Sequence, residues 1–315
     1  MPWSAVHTFS DPDDYAASIR AGTAELTVTG RGQFAAKLVK IDFHRLWMQR
    51  WEESLPRVWH AVNMRGRAGL LFCTRSGSSP LLRGVEMQVD QITRPRDGEE
   101  WHQVLRGPVC FGAMSLPVEE MASLGAAMAG CDLTPPRHRL TITPLPSAMA
   151  RLQRLHAAAE HLAERAPEII ANPDAARGLE QALLEAIVDC LGNSEVREDT
   201  VAQRQHELII RRFHRVLEEN PGEPLYIPEI CKAIRVAGRT LRTCCQEHLG
   251  MGPKRYLLLR RLNLVRQALR RAEPDATTVT KIATEYGFWE LGRFAVKYQS
   301  LFGESPSTTL RRPSE

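Results

Sequence analysis

The apolar positions of the chain change their spacing partway along it. Between residues 24 and 117, apolar and β-branched residues come in short runs, such as Glu25 to Thr29 and Val85 to Ile92. Short runs with turn residues between them predict a meander of strands, and hence a sandwich or barrel. The turn residues are Gly30, Gly32, Gly66, Gly77, Pro80, Gly84, Pro95, Gly98 and Gly107.

After Pro144 the period becomes helical. Apolar residues recur every three or four positions from Met149 to Leu162 and from Leu179 to Cys190, which predicts two amphipathic helices within about 147–191. Their apolar stripes could pack on the strands or against a second subunit.

The residues from Gly192-Asn193-Ser194 to Asp199 have the composition of a linker, so we expect a first domain over 1–195. Beyond it the pattern is helical to the end, with a helix from Gln203 to Glu219 followed by shorter helices and tight turns. The predicted fold class is therefore α+β multidomain, a strand-rich domain with a helical extension and then an all-α domain.

An internal repeat occupies this helical part. Ile230-Cys231-x3-Arg235-Val236 recurs 52 residues later as Ile282-Ala283-x3-Gly287-Phe288. Leu241-x3-Cys245-x4-Gly250-x2-Pro253 recurs 53 residues later as Phe294-x3-Tyr298-x4-Gly303-x2-Pro306. Each copy combines a first helix, a turn, and a second helix with inward anchors at i and i+4. This combination is typical of a helix-turn-helix unit.

Charge is divided unevenly over the 315 residues. The net charge is +4, but the part from Val201 onward has 20 Lys+Arg against 12 Asp+Glu, whereas residues 1–200 have 21 against 25. A basic module joined to a mildly acidic one indicates a polyanion-binding domain beside a domain with another task. The sequence shows neither a run of about 18 apolar residues nor a secretory leader, so we expect no membrane span and a cytoplasmic location.

With these features the C-terminal part, about 211–312, resembles the DNA-binding domain of AraC/XylS-type transcriptional regulators. The resemblance is carried by Arg239-Thr240-Leu241, Gly250 to Tyr256, Tyr286-Gly287-Phe288 and Phe302 to Pro306. It implies helix-turn-helix units at about 227–248 and 279–300, joined by a helix over 254–271. The two recognition helices would enter successive major grooves of duplex DNA, about one helical turn apart.

The first recognition helix, about 238–248, is expected to supply most of the sequence discrimination. Leu241 and Cys245 point inward, so the opposite face is left to read bases. Arg can pair with guanine, Gln with adenine, and Thr can contact a thymine methyl; the alternative is that these side chains are merely solvated. Our candidates for base reading on this helix are Arg239, Arg242, Thr243 and Gln246.

The second recognition helix, about 291–300, offers fewer such groups. Gly292 and Ala295 carry no reading group, and Val296 can contact only thymine methyls. Arg293 and Lys297 flank these positions and are candidates for phosphate contact, which positions a protein without specifying sequence.

The joining helix is rich in basic residues. Lys254 and Arg255 follow Pro253 at its start, where backbone N–H groups also favour an anion, so we expect them to contact phosphate. The remaining basic residues are expected to be divided between phosphate contact and a solvated face. They are Arg260, Arg261, Arg266, Arg270 and Arg271.

Cysteine and histidine give no signal of catalysis or of a metal site. Seven cysteines without a CxxC pair indicate free thiols. Cys245 takes a core position matched by Tyr298 whereas Cys244 points elsewhere, so we expect core packing and not a redox sensor. The strand-rich part lacks the HxH pattern of a cupin metal site, and no metal, cofactor or catalytic residue is predicted. Its histidines include His44, His60 and His102.

For the first domain the resemblance implies an effector-sensing or dimerisation domain, commonly a cupin-like barrel followed by helices. Large aromatic residues in the strands could line a pocket or fill the core, and the ligand-binding residues stay unassigned. These aromatics are Trp47, Trp51, Trp59 and Trp101 with Phe34, Phe43, Phe72 and Phe111.

The predicted function is sequence-specific binding of promoter or operator DNA under the control of a small-molecule effector. We expect a homodimer, and the family type allows RNA polymerase as a further partner and implies activation. Two alternatives are a ligand-independent dimeric DNA binder and an enzyme domain fused to a DNA-binding domain. The sequence has neither a Pro-Cys-His nucleophile setting nor a Gly-x-Ser-x-Gly elbow, so we predict no enzyme.

Overall fold

A computed structural model describes residues 1–20, 23–75, 79–130, 132–134, 140–192 and 194–312. Gly77 and Asn193, which the sequence marks as turn and linker residues, lie outside these ranges. A sheet-rich N-terminal part precedes an all-helical C-terminal part, which confirms the α+β class. Within the described residues, no helix is long and apolar enough to cross a membrane.

Two antiparallel sheets enclose one core in the N-terminal part. The strands are β1 (Trp3–Phe9), β2 (Thr23–Val28), β3 (Ala36–Asp42), β4 (Trp47–Glu53), β5 (Arg57–Val62), β6 (Arg67–Cys73), β7 (Leu81–Leu82), β8 (Val85–Glu86), β9 (Ile92–Arg94), β10 (Glu100–Leu105), β11 (Val109–Pro117), β12 (Leu140–Pro144) and β13 (Ser194–Glu198). Among the described residues the larger sheet has the order β1-β3-β4-β11-β6-β9-β12-β13, and the smaller has β2-β5-β10-β7-β8.

Burial along each strand follows from what covers its two faces. In β3, Leu38 lies on one face and Val39 and Ile41 lie on the other, and all three are fully buried, so both faces of this strand are covered. In β5 both faces are buried, because Trp59 belongs to the core between the sheets and Val58 to the core of the C-terminal helices. The outer face of the smaller sheet is therefore covered by the helical part of the chain.

The larger sheet extends beyond the range 24–117 on both sides. β1 pairs with β3 from Trp3↔Asp42 to Phe9↔Ala36. The interpretation of the residues around 194–199 as a linker is wrong, because Ser194 to Glu198 form β13, paired with β12 at the sheet edge. The side chains of β13 are mostly exposed, and charge is common on edge strands, so its composition imitates that of a linker.

Twelve α-helices are described, and the last seven form the C-terminal part. They are α1 (Pro12–Ser18), α2 (Val118–Leu124), α3 (Pro146–Arg165), α4 (Pro167–Ala171), α5 (Pro173–Gly192), α6 (Val201–Glu219), α7 (Ile227–Ile234), α8 (Gly238–Leu249), α9 (Pro253–Arg271), α10 (Val279–Glu285), α11 (Leu291–Phe302) and α12 (Pro306–Arg311). α6 continues across residue 211, where the sequence placed the start of the C-terminal domain, so that division stays a prediction.

The helical extension packs on the sheets. Leu152 of α3 and Leu183 and Ile187 of α5 are fully buried in the same core as the strands. Their apolar stripes are therefore covered within the chain, which decides between the two packings that the sequence left open.

α9 docks on the N-terminal part through one of its faces. Arg260 donates from Nε and Nη2 to the two carboxylate oxygens of Glu25, at 2.8 and 3.0 Å. Asn263 accepts from the backbone N–H of Val28 and donates to its carbonyl, both at 3.1 Å. One turn further, Arg266 and Arg270 both form ion pairs with Asp11, the N-cap residue of α1. Positions 260, 263, 266 and 270 share one helix face, so this face belongs to the contact between the two parts.

Candidate nucleic-acid interface

The two helix-turn-helix units share a turn with left-handed backbone. In the first unit α7 ends at Arg235, whose φ is 55°, and in the second unit α10 is followed by Gly287, whose φ is 76°. These residues are equivalent in the 52-residue repeat. A Cβ at Gly287 would lie 2.6 Å from Pro224 Cβ, so glycine is required there by close approach as well as by φ.

α8 presents the four candidate base readers to solvent. Leu241, Cys245 and Leu249 are fully buried in the C-terminal core. On the other side of the helix the candidates Arg239, Arg242, Thr243 and Gln246 are all exposed.

Two of these side chains hydrogen-bond to their own helix. Thr243 donates to the carbonyl of Arg239 at 3.3 Å, and Gln246 donates from Nε2 to the carbonyl of Gly250 at 3.2 Å. This bond uses one of the two Nε2 hydrogens of Gln246 and does not involve its Oε1. Arg239 and Arg242 project freely in comparison, since they are exposed in the first turns of the helix.

α11 has a similar core face but a different outer face. Phe294 and Tyr298 are buried, and Tyr298 donates its hydroxyl hydrogen to Thr309 Oγ1 at 2.8 Å. Val296 is 69% exposed, which leaves an apolar contact surface where α8 has polar groups. Arg293 forms an exposed ion pair with Glu290 at 2.8 Å, and Lys297 is also exposed.

The basic residues of α9 separate into two groups. Lys254 and Arg255 are exposed in the first turn after Gly252, where the backbone N–H groups of a helix start favour an anion. Arg260 and Arg266 are each only 6% exposed and pair with Glu25 and Asp11. The expectation that such residues are either solvated or bound to phosphate is wrong for these two, because they form buried ion pairs.

The adjacent cysteines are both buried. Cys244 and Cys245 are each 0% exposed, so the expectation that Cys244 points away from packed surroundings is wrong. α8 is covered on two sides: one side faces the helical core, and His248 on the other side lies close to Gly84, between β7 and β8. Burial raises the pKa of the Cys244 thiol to about 11 and raises that of Cys245 further above its usual range. Both thiols are therefore protonated at neutral pH, which disfavours oxidation.

The four tryptophans singled out in the sequence line one cavity between the sheets. The cavity has a volume of about 130 Å³, and Trp47, Trp51, Trp59 and Trp101 all contribute to its wall. The four phenylalanines, in contrast, are buried core residues.

Charged groups also reach this cavity. The guanidinium of Arg67 lies 3.7 Å from the ring centroid of Trp47, and that of Arg20 lies 4.6 Å from it. Glu53 and Arg57 form a buried ion pair in the wall. Burial lowers the pKa of Arg67 to about 10, so this side chain stays charged at neutral pH.

Three buried histidines from both parts of the chain meet on the covered face of the smaller sheet. His60 of β5 lies opposite His102 of β10, with ring centroids 4.5 Å apart. His214 of α6 lies 4.7 Å from His60 and 4.1 Å from His102. The expectation of no metal site relied on local sequence spacing, which gives no sign that His214 approaches the strands. His44, in contrast, is exposed and lies near the carbonyl of Pro173.

A family model and several known proteins match parts of the chain. A family model described as a helix-turn-helix domain matches residues 230–312. The XylDLEGF operon transcriptional activator 1 of Pseudomonas putida is 38% identical over 103 residues, which cover 32% of this chain and 31% of that protein. The "Probable thc operon regulatory protein" of Rhodococcus erythropolis is also 38% identical over 103 residues, covering 33% and 31%.

A solved structure described as a probable AraC family transcriptional regulator from Rhodopseudomonas palustris CGA009 is 32% identical. It matches 34% of this chain and 99% of its own, with a TM-score of 0.31. The chain thus spans about a third of the length of these two curated relatives.

The fold and the exposed helix faces define a double helix-turn-helix domain of the type found in transcriptional regulators. The C-terminal part of the chain is therefore an AraC-type helix-turn-helix domain, and the relatives it matches include XylS-type transcriptional activators.

Proposed function

We propose that this chain is a transcriptional regulator that binds a specific duplex DNA through α8 and α11, in the manner of an activator. The observation that carries the proposal is the family match over 230–312 together with the exposed polar face of α8. Such a regulator acts on chromosomal DNA, so a cytoplasmic location follows from the proposal. A homodimer would double the DNA contacts, and two-fold symmetry is the commonest oligomeric arrangement.

The two recognition helices divide the work in this proposal. α8 reads bases through Arg239, Arg242, Thr243 and Gln246, and α11 adds methyl contacts through Val296. Four exposed cations hold phosphates on either side of these helices and fix the register of the protein on DNA. They are Lys254, Arg255, Arg293 and Lys297.

The cavity between the sheets supports control by a small effector. Its volume of about 130 Å³ is close to that of an engineered apolar cavity of roughly 150 Å³ that binds benzene, so a molecule of about one ring fits. Tryptophan rings supply apolar walls, and Arg20 and Arg67 supply positive charge beside Trp47. We therefore infer a small effector with an apolar body and a polar or anionic group.

A binding titration with the full chain tests the proposal. Duplexes recovered from a random library by repeated selection should bind with an affinity that falls by about 10³- to 10⁵-fold between 50 and 200 mM salt, as for proteins that neutralise six to ten phosphates. Failure to enrich any duplex would contradict sequence-specific binding.

The effector is tested separately, by a thermal-shift screen of the full chain against small metabolites. A compound that raises the melting temperature in the wild type but not in Trp47→Ala would locate the effector in the cavity. If the chain enriches specific duplexes and no compound in the screen alters its affinity for them, the alternative of a ligand-independent DNA binder is favoured.

A further inference from the structure

The histidine cluster, defined as His60, His102 and His214, contains ring nitrogens without a partner. His102 and His214 are each 1% exposed, and the Nε2 atom of each lacks a hydrogen-bond partner among the described residues. Buried polar atoms are almost always satisfied in folded proteins, so each exception requires an explanation. Two such nitrogens in adjacent rings indicate a partner that both can share.

Carboxylates surround the third member of the cluster. Glu100 Oε1 lies 3.0 Å from His60 Nε2, and Glu218 Oε1 lies 3.2 Å from His60 Nδ1. Glu100 is also held by Arg211 at 3.2 Å, whereas the side chain of Glu218 is 51% exposed and free to adjust. A carboxylate on an imidazole nitrogen is the arrangement that orients a metal-binding histidine.

Two of the three rings, those of His102 and His214, are almost fully buried. This burial lowers the pKa of His102 and of His214 well below the usual histidine range, and the neighbouring histidines act in the same direction. Burial therefore disfavours a positive charge on either ring.

We propose that His60, His102 and His214 bind one divalent transition-metal ion of the Zn²⁺ type, with Glu218 as the fourth ligand and Glu100 orienting His60. Each histidine offers one nitrogen, and these atoms lie within 4.8 Å of one another. Tetrahedral zinc with Zn–N distances of about 2.0–2.1 Å places its ligand atoms roughly 3.4 Å apart, so small side-chain rotations close the site. Three imidazoles and a carboxylate are a donor set that suits zinc.

The site would join the two parts of the chain. His60 and His102 belong to the smaller sheet, whereas His214 and Glu218 belong to α6, which also contacts α7 and α8. A bound ion would therefore fix the first helix-turn-helix unit against the sheet. This inference stands apart from the proposed function, because it requires no DNA and no effector.

Metal binding by the full chain tests the inference directly. The protein is stripped with a chelator and titrated with Zn²⁺ in competition with a chromophoric chelator, and Co²⁺ serves as an optical probe of tetrahedral coordination. His214→Gln and His102→Asn remove one ligand each, and Glu218→Gln changes a half-exposed side chain whose loss leaves the core intact. His161→Gln is the matched control, since His161 is an exposed histidine of α3.

We expect one equivalent of Zn²⁺ and a higher melting temperature with metal in the wild type and in His161→Gln. Binding should be at least tenfold weaker in Glu218→Gln and in each histidine variant that retains the wild-type circular dichroism spectrum. Zinc affinity in Glu218→Gln equal to that of the wild type would overturn the assignment of the fourth ligand. A wild-type chain that binds no stoichiometric metal would overturn the site.

Discussion

The ion pair between Arg266 and Asp11 provides a quantitative test of how the two parts of the chain are held together. Arg266 Nη2 donates to Asp11 Oδ2 at 2.6 Å, and the two side chains are 7% and 4% exposed. Replacing Arg266 with Met leaves the Asp11 carboxylate buried with Arg270 as its remaining cation. Removing one partner of a buried pair costs about 3–5 kcal/mol, and we expect the lower limit of about 3 kcal/mol because Arg270 stays in contact.

The assay is guanidinium unfolding of the full chain, followed by tryptophan fluorescence and compared with a matched control. Arg271→Met makes the same change one position beyond Arg270 on the same helix, but at an exposed site, so its effect should stay within about 0.5 kcal/mol. Adding Asp11→Asn to Arg266→Met should recover part of the loss. Asn removes the stranded charge yet can still cap α1, where Asp11 Oδ1 accepts from the backbone N–H of Asp13 at 2.8 Å.

Equal stability of Arg266→Met and Arg271→Met would refute this reasoning. That result would mean that Arg266 is hydrated in solution and that α9 does not dock on α1 as the structure shows.

Three further predictions concern other parts of the chain. Burial and the charge of Asp11 raise the pKa of Asp13 to about 6, above its unfolded value, so between these two values the folded state binds more protons than the unfolded state. The free energy of unfolding should therefore fall as pH rises from about 4 to 6. Asp13→Asn should abolish this fall in thermal melts. Cys244→Ser and Cys245→Ser should each destabilise the chain by about 1–3 kcal/mol in urea unfolding, and Cys231→Ser, at a half-buried position, is the milder control. If DNA binding by the wild type depended on peroxide and this dependence disappeared in Cys244→Ser, the packing role would be contradicted. Arg293→Ala should weaken binding to every operator variant by a similar factor in anisotropy titrations, and a changed base preference would show that Arg293 reads sequence.

The internal repeat explains why the helical part could be predicted closely from the sequence. Its anchors Leu241, Cys245, Phe294 and Tyr298 are all buried, as their spacing predicts. A repeat constrains two segments at once, because a pattern found in one copy is tested against the other. The exposed faces of α8 and α11 follow directly from that assignment.

The contact between the two parts could not be predicted in this way. Arg260, Arg266 and His214 have ordinary helical spacing, and their partners lie more than a hundred residues earlier in the chain. A basic residue that meets a buried carboxylate has the same local sequence as one that meets phosphate or water. The burial of Cys244 could not be predicted for the same reason. Local periodicity predicts one buried face of α8, whereas the sheet covers a second face.

Selection of binding sites from random duplexes tests whether α8 reads sequence while the start of α9 holds phosphate. The wild type, Arg242→Ala, Gln246→Ala and Lys254→Ala are selected in parallel at one salt concentration, and the recovered sequences are compared. We expect altered base preference in Arg242→Ala and Gln246→Ala, with about 1–3 kcal/mol of discrimination lost at the affected base pair. Lys254→Ala should recover the wild-type sequence at uniformly lower affinity. Unchanged preference in both Arg242→Ala and Gln246→Ala would contradict the account, because the exposed face of α8 would then not be the face that meets the bases.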